Sequence, residues 1–226
     1  MSNEPTFEAN DTPPKFIAIE GNIGVGKTTL AKKLADTFNY ETLLEQPAEN
    51  PFLKRFYNNE EGAALATQLF FLFQRVKQMQ GIKQNDMFQP VRVSDFVLEK
   101  DELFAQVTLE PEELKLYQEV YKQVVTDTPT PDLVIYLQAP VDVLQQRIRG
   151  RDIEMEQRID TAYLTRINEL YTRFFHYYDR SPLLIVNAEE IDVVNNDDDY
   201  LGLVDYLLRV KRGRHYYNPV AQPVLL

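Results

Sequence analysis

Residues 18 to 30 read AIEGNIGVGKTTL. Within them Gly21, Asn22, Ile23, Gly24, Val25, Gly26, Lys27 and Thr28 satisfy G-x-x-x-x-G-K-[ST], with an apolar run before and an amphipathic run after. Glycines at these positions let backbone N–H groups turn inward around phosphates, helped by the positive end of the helix that follows. Lys27 then reaches the β- and γ-phosphates, and the Thr28 hydroxyl suits Mg²⁺. Thr29 completes the nucleotide-binding stretch. A chance glycine turn would not carry both flanks. The pattern binds a nucleoside triphosphate, predicting ATP with Mg²⁺, and is silent about what receives the phosphoryl group.

Other residues bear on the acceptor. Glu45 ends an apolar run in LLEQPAENPFL, where a carboxylate can take the proton from an attacking hydroxyl; position alone leaves an ordinary strand-end Glu equally open. Asp95 closes VRVSD and reads as the second support for Mg²⁺ rather than as a helix cap. Gln68 and Arg75 share a helix face with Phe71 between them. An amide there can pair with a nucleobase edge and an aromatic ring can stack on it, although Thr67, Gln74, Lys77 and Gln78 equally describe a solvated face. Arg147, Arg149 and Arg151 cluster around Gly150. They read as a lid whose guanidinium groups match phosphate oxygens, or as ion-pair partners of Asp152, Glu154 and Glu156. An open lid satisfies both.

The elements that must position these groups alternate along the chain. Strands are expected at 15–20, 40–45, 90–95, 131–138 and 182–187, with helices near 27–39, 61–80, 110–126, 141–149, 161–179 and 197–211. In the first helix Leu30, Leu34 and Phe38 form an apolar stripe. Strands separated by helices predict an α/β fold with a five-stranded parallel sheet covered on both faces, and ligands then sit at the carboxyl ends of the strands. Residues 1–14 are expected to be a disordered tail, 15–212 one domain, and 213–226 a C-terminal extension that docks on the body or on a dimer mate.

The 226 residues suffice for a single core. Their 44% hydrophobic and 26% charged content is that of a globular protein. A formal charge of −11 argues against a nucleic-acid polymer as partner, while leaving room for a small nucleotide in a locally positive cleft. Without cysteine, disulfides and thiolate metal sites are excluded. The polar, acidic start lacks a signal-peptide pattern, and nothing reaches membrane-spanning length, so the expectation is a cytoplasmic protein with no membrane partner. The acidic run NNDDDY reads as a helix start rather than a metal loop. His176 and His215 lack partners at ligand spacing.

From about Phe16 to Val194 these pieces together resemble the deoxynucleoside kinase family, especially the bacterial deoxyadenosine and deoxyguanosine kinases. The likeness is carried by IEGNIGVGKTT, EQPAENPFLKRFY, the Gln68-to-Arg75 helix, VSDF…LFA, PDLVIYL and RGRDIEMEQ. The resemblance implies a P-loop kinase fold with an arginine-bearing lid and, commonly, a homodimer formed by helix packing. It implies Glu45 as general base for the sugar 5′-hydroxyl, Tyr57 and Glu156 on the 3′-hydroxyl, and Gln68 on the base with Arg75 nearby. Arg149 and Arg151 would belong to the lid, and the turn holding Glu190 and Ile191 would receive the donor adenine. The chain departs where many members follow the third-strand carboxylate with Arg, because here Phe96 and Val97 follow Asp95. Lys100, one turn on, is expected to supply that charge. A further Asp that tunes base choice falls on Asp101, with Lys100 as the rival match.

The reading is an ATP-dependent kinase acting on the 5′-hydroxyl of a deoxynucleoside, purine preferred. Thymidylate kinase is the alternative enzyme, disfavoured by Phe96 where a strong basic group is wanted, and an inactive relative serving as an assembly subunit is the alternative from another class. GTPases are set aside because no Asn-Lys-x-Asp segment occurs.

Overall fold

The computed structural model describes residues 13–84, 91–126, 128–151, 153, 156–189, 191–193 and 196–218. Strand β1 (Phe16–Gly21) runs through the middle of a six-stranded sheet of order β2-β3-β1-β4-β5-β6. The others are β2 (Glu41–Leu43), β3 (Arg92–Ser94), β4 (Leu133–Gln138), β5 (Leu183–Asn187) and β6 (Arg214–Tyr217). Every pairing is parallel. The expected count of five is thus corrected to six. The additional strand comes from RHYY, a polar and aromatic segment without β-branched residues, in the stretch set apart as a C-terminal extension.

Helices α1 (Lys27–Phe38), α3 (Ala63–Gln84), α5 (Pro111–Val124), α6 (Val141–Gly150), α7 (Thr161–Tyr177) and α8 (Asp197–Leu208) stand where helical patterns were expected. Two more, α2 (Leu53–Tyr57) and α4 (Lys100–Thr108), fall in stretches without an expected element. Local chemistry explains the boundaries. Asn39 takes a left-handed φ of 56° and closes α1 with its N–H on the Ala35 carbonyl. The Asn196 side chain accepts from the N–H groups of Asp198 and Asp199, so NNDDDY does open a helix.

Alternate residues of each buried strand serve opposite faces. Leu133, Ile135 and Leu137 of β4 join Leu30 and Leu34 of α1 and Leu203 and Leu207 of α8. Val134 and Tyr136 turn the other way, onto Ile167, Tyr171 and Phe175 of α7. Chain order runs from β1 to β2 and β3 on one side and then to β4, β5 and β6 on the other, so the direction of growth reverses beside β1. Its carboxyl end opens into the crevice where ligands of doubly wound sheets bind.

Candidate active site

The glycine turn is packed tightly against its neighbours. A Cβ on Gly21 would stand 2.5 Å from the Leu137 carbonyl oxygen, and one on Gly24 (φ 86°) 2.8 Å from Ile148 Cγ1. Gly26, at φ 106°, faces open space. Asn22 braces the turn from inside, donating through Nδ2 to the Leu164 carbonyl (3.0 Å) and accepting from the Ile23 N–H (2.8 Å). Val25 is buried in the core and Thr29 is exposed. Lys27 Nζ lies back over the loop, donating to the carbonyls of Gly21 (2.8 Å) and Asn22 (3.2 Å). Burial lowers its pKa to about 8 and the charge of Lys100 adds to this, against Glu20, Glu45 and Asp95.

Asp95, just past β3, joins the two sides of the crevice. One carboxylate oxygen accepts from Thr28 Oγ1 (2.5 Å) and the other from the Glu45 N–H (2.8 Å). Glu45 lies beyond the last residue of β2 and is set between two cations. Arg75 Nε donates to its Oε1 (2.8 Å) and Lys100 Nζ to its Oε2 (2.7 Å). Burial opposes the Glu45 charge, but Arg75, Lys100 and Lys27 outweigh it and hold the carboxyl well below the usual range. Arg75 also pairs with Asp101, which is fully buried, and spans the Phe71 ring (5.0 Å) and the Phe96 ring (5.8 Å).

A cavity of about 330 Å³ opens over this cluster, a volume suited to a small organic ligand. It is lined by the charged and hydroxyl groups of Lys27, Thr28, Glu45, Asp95 and Lys100. Gln68, Phe71, Tyr57, Phe104 and Tyr163 line it too, as do Arg151 and Glu156. Gln68 is buried (3% exposed) and its side-chain amide makes no hydrogen bond to another described residue, so the amide is available to the cavity. Burial pushes the Tyr57 phenol up, with Glu156 and then Glu45 contributing. Glu156 Oε2 is buried without a hydrogen-bond partner, with Arg151 Nη1 3.8 Å away.

Most expected residues therefore meet in one cavity. Arg149 is exposed on α6 and outside the cavity lining, while Arg147 donates to the Ala188 carbonyl (2.8 Å) beyond β5. Ile191 is buried in the core, and Glu190, Asp152 and Glu154 lie outside the described residues. Sequence reasoning missed Glu20. This fully buried carboxylate accepts from the N–H groups of Gly21 and Val97 (both 3.0 Å) and from the Tyr171 hydroxyl (2.8 Å). An acid closing an otherwise apolar strand was the available signal. Phe56, Phe104 and Tyr163 were missed as well, because an aromatic facing a cavity has the same sequence pattern as one facing the core.

A glycine turn of phosphate-binding pattern, an oxygen pair from Thr28 and Asp95, and the Glu45 carboxylate, all lining one cavity, define a phosphotransferase with a small acceptor. Comparison with known proteins makes the class specific. Residues 17–209 match the family model described as deoxynucleoside kinase. The chain is 34% identical over 191 residues to a deoxyguanosine kinase of Bacillus subtilis (strain 168), covering 82% of this chain and 92% of that protein. It is 28% identical over 203 residues to a deoxyadenosine/deoxycytidine kinase of the same organism, covering 86% and 92%. Among solved structures, a deoxyadenosine kinase from M. mycoides with dCMP and a flexible dCDP bound superposes with a TM-score of 0.75 at 27% identity, over 85% of this chain and 98% of that one. The chain belongs to the deoxynucleoside kinase family. It is an ATP-dependent kinase of the 5′-hydroxyl of deoxynucleosides.

Proposed function

We propose that the acceptor is a purine deoxynucleoside, bound with its sugar over Glu45 and its base against Gln68 and Phe71. The observation that carries this reading is that Glu45, the glycine turn and Gln68, whose side-chain amide has no partner among the described residues, line one cavity. A side-chain amide can donate to and accept from one purine edge at once. Tyr57 and Glu156, which both line the cavity, take the 3′-hydroxyl, giving the unpartnered Glu156 oxygen a donor.

In the transfer the 5′-oxygen bonds to the γ-phosphorus as the bond from that phosphorus to the β,γ-bridging oxygen breaks. The hydroxyl proton passes to Glu45, and ADP leaves. Lys27 and the N–H groups of the turn hold the donor phosphates. Arg149 and Arg151 close over the transferred group, Arg151 leaving Glu156 to do so. The turn after β5, with Ile191 and the tethered Arg147, receives the donor adenine. The Thr28 hydroxyl and Asp95 carboxylate are adjacent hard oxygen donors at the start of α1, which fits Mg²⁺. Bound there, the ion would neutralise charge on the β- and γ-phosphates.

We further infer a cytoplasmic homodimer. Among the described residues no helix is long and apolar enough to cross a membrane. Phe73 on α3 and Leu116 on α5 present exposed apolar side chains from helices of one cluster, a face suited to a second copy. Light scattering should give twice the monomer mass.

The test is incubation with Mg·ATP and a panel of deoxynucleosides and their monophosphates. Deoxyadenosine and deoxyguanosine should be phosphorylated fastest. Deoxycytidine alone would move the base preference to a pyrimidine, a choice made relevant by the relative named for both deoxyadenosine and deoxycytidine. Turnover of thymidine monophosphate alone would identify a thymidylate kinase, and no turnover an inactive relative.

A further inference from the structure

We propose that Lys100 is a two-position cation, seated on Glu45 while the cleft is empty and drawn onto the donor phosphates when ATP binds, so that donor binding releases Glu45 for the acceptor hydroxyl. This rests on the function proposed above and adds a coupling between its two substrates.

Both ammonium groups in the cleft are placed on protein oxygens. Lys27 lies on the carbonyls of Gly21 and Asn22, and Lys100 on Glu45 Oε2 at 2.7 Å. They are close enough to affect each other's charge, and both line the same cavity. A polyphosphate is the anion such a pair would accommodate, and its arrival gives Lys100 a competing partner of higher charge. The neighbouring positions supply no substitute. Phe96 is fully buried and carries no charge, while Arg75 is held by Glu45 and Asp101 together.

Glu20 makes the movement feasible. Its Oε1 lies 3.9 Å from Lys100 Nζ, near enough to attract but too far for a hydrogen bond. Through Oε2 it holds the Val97 N–H, whose carbonyl in turn accepts the Lys100 N–H (3.3 Å). The backbone at Lys100 is therefore fixed while its ammonium retains a choice of carboxylates. The Phe104 ring, 5.4 Å from Lys100 Nζ on the next turn of α4, lines the same cavity. Released from Lys100, Glu45 keeps Arg75 and presents Oε2 to the cavity.

Calorimetric titration of the full chain with deoxyguanosine, alone and in the presence of a non-hydrolysable ATP analogue, tests the coupling. In the unmodified protein the analogue should tighten deoxyguanosine binding severalfold. Lys100→Gln should abolish that tightening, bind deoxyguanosine tightly without any analogue, and bind the analogue roughly ten- to a hundredfold more weakly, the range of a lost charged hydrogen bond. Its kcat should fall at least tenfold with little change in the KM for the nucleoside, and Lys100→Arg should restore part of it. A merely structural role would leave the coupling unchanged. Should Lys100→Gln fail to fold, crystals of the unmodified protein with the analogue and deoxyguanosine decide the matter, because Lys100 Nζ must have left Glu45 for a phosphate oxygen. Unchanged coupling in Lys100→Gln, or Lys100 still seated on Glu45 in the ternary complex, overturns the proposal while leaving the kinase reading intact. An unmodified protein that phosphorylates no deoxynucleoside overturns both.

Discussion

Glu45 shows how one side chain can serve charge balance and chemistry together. It is the anion shared by Arg75 and Lys100, so replacing it removes both the proposed base and the partner of two buried cations. Glu45→Gln should lower kcat by roughly 10²–10⁴-fold and also lower Tm, since uncompensated buried charge is costly; steady-state assays and calorimetry on one preparation would check both. Gly21 is constrained differently. An added methyl would meet a backbone oxygen that cannot rotate away. Gly21→Ala should therefore cost about 1–3 kcal/mol, read as a fall in Tm of several degrees, together with weakened ATP binding. The turn was legible because its glycines, Lys27 and Thr28 form one continuous pattern. Asp101 and Glu20 were harder to place, since burial beside a cation is a three-dimensional property. The sequence marked Asp101 only through a family likeness and did not mark Glu20 at all.

At the scale of elements, long periodic stretches were legible and short ones were not. Helices α1, α3 and α7 carry repeated apolar positions, and β4 and β5 are continuous apolar runs, so pattern and structure agree. Helix α2 has five residues, too few to display a period. Helix α4 starts at a residue whose predecessor, Glu99, is itself helical and offers no side-chain cap, so no start signal precedes it. Strand β6 covers the edge of β5 with only a few residues, which is sheet pairing rather than local propensity. Ending the chain at Arg212 should expose the apolar β5 edge and cause aggregation on concentration, visible by light scattering. Asn196→Ala removes the α8 cap and should cost about 1 kcal/mol, measured by chemical denaturation, with kcat unaltered.

For the molecule as a whole, the charge of −11 acts on an anionic substrate before any contact is made. At 0.01 M ionic strength the screening length is about 30 Å and this field reaches well beyond the cleft, whereas near 0.15 M it shrinks to about 8 Å. ATP should therefore associate faster as salt is raised across that range, by up to severalfold in stopped-flow measurements; a slower rate would mean that the cations of the cleft, Lys27 and Lys100 among them, govern the approach.

The double attachment of Asp95 has a consequence at the same scale. One carboxylate grips the hydroxyl at the mouth of the glycine turn and the backbone just ahead of the acceptor's acid. The start of α1 and the backbone of Glu45 are thereby tied to a single short side chain just past the end of β3. A nudge to either half is carried to the other, and the two cannot drift apart independently.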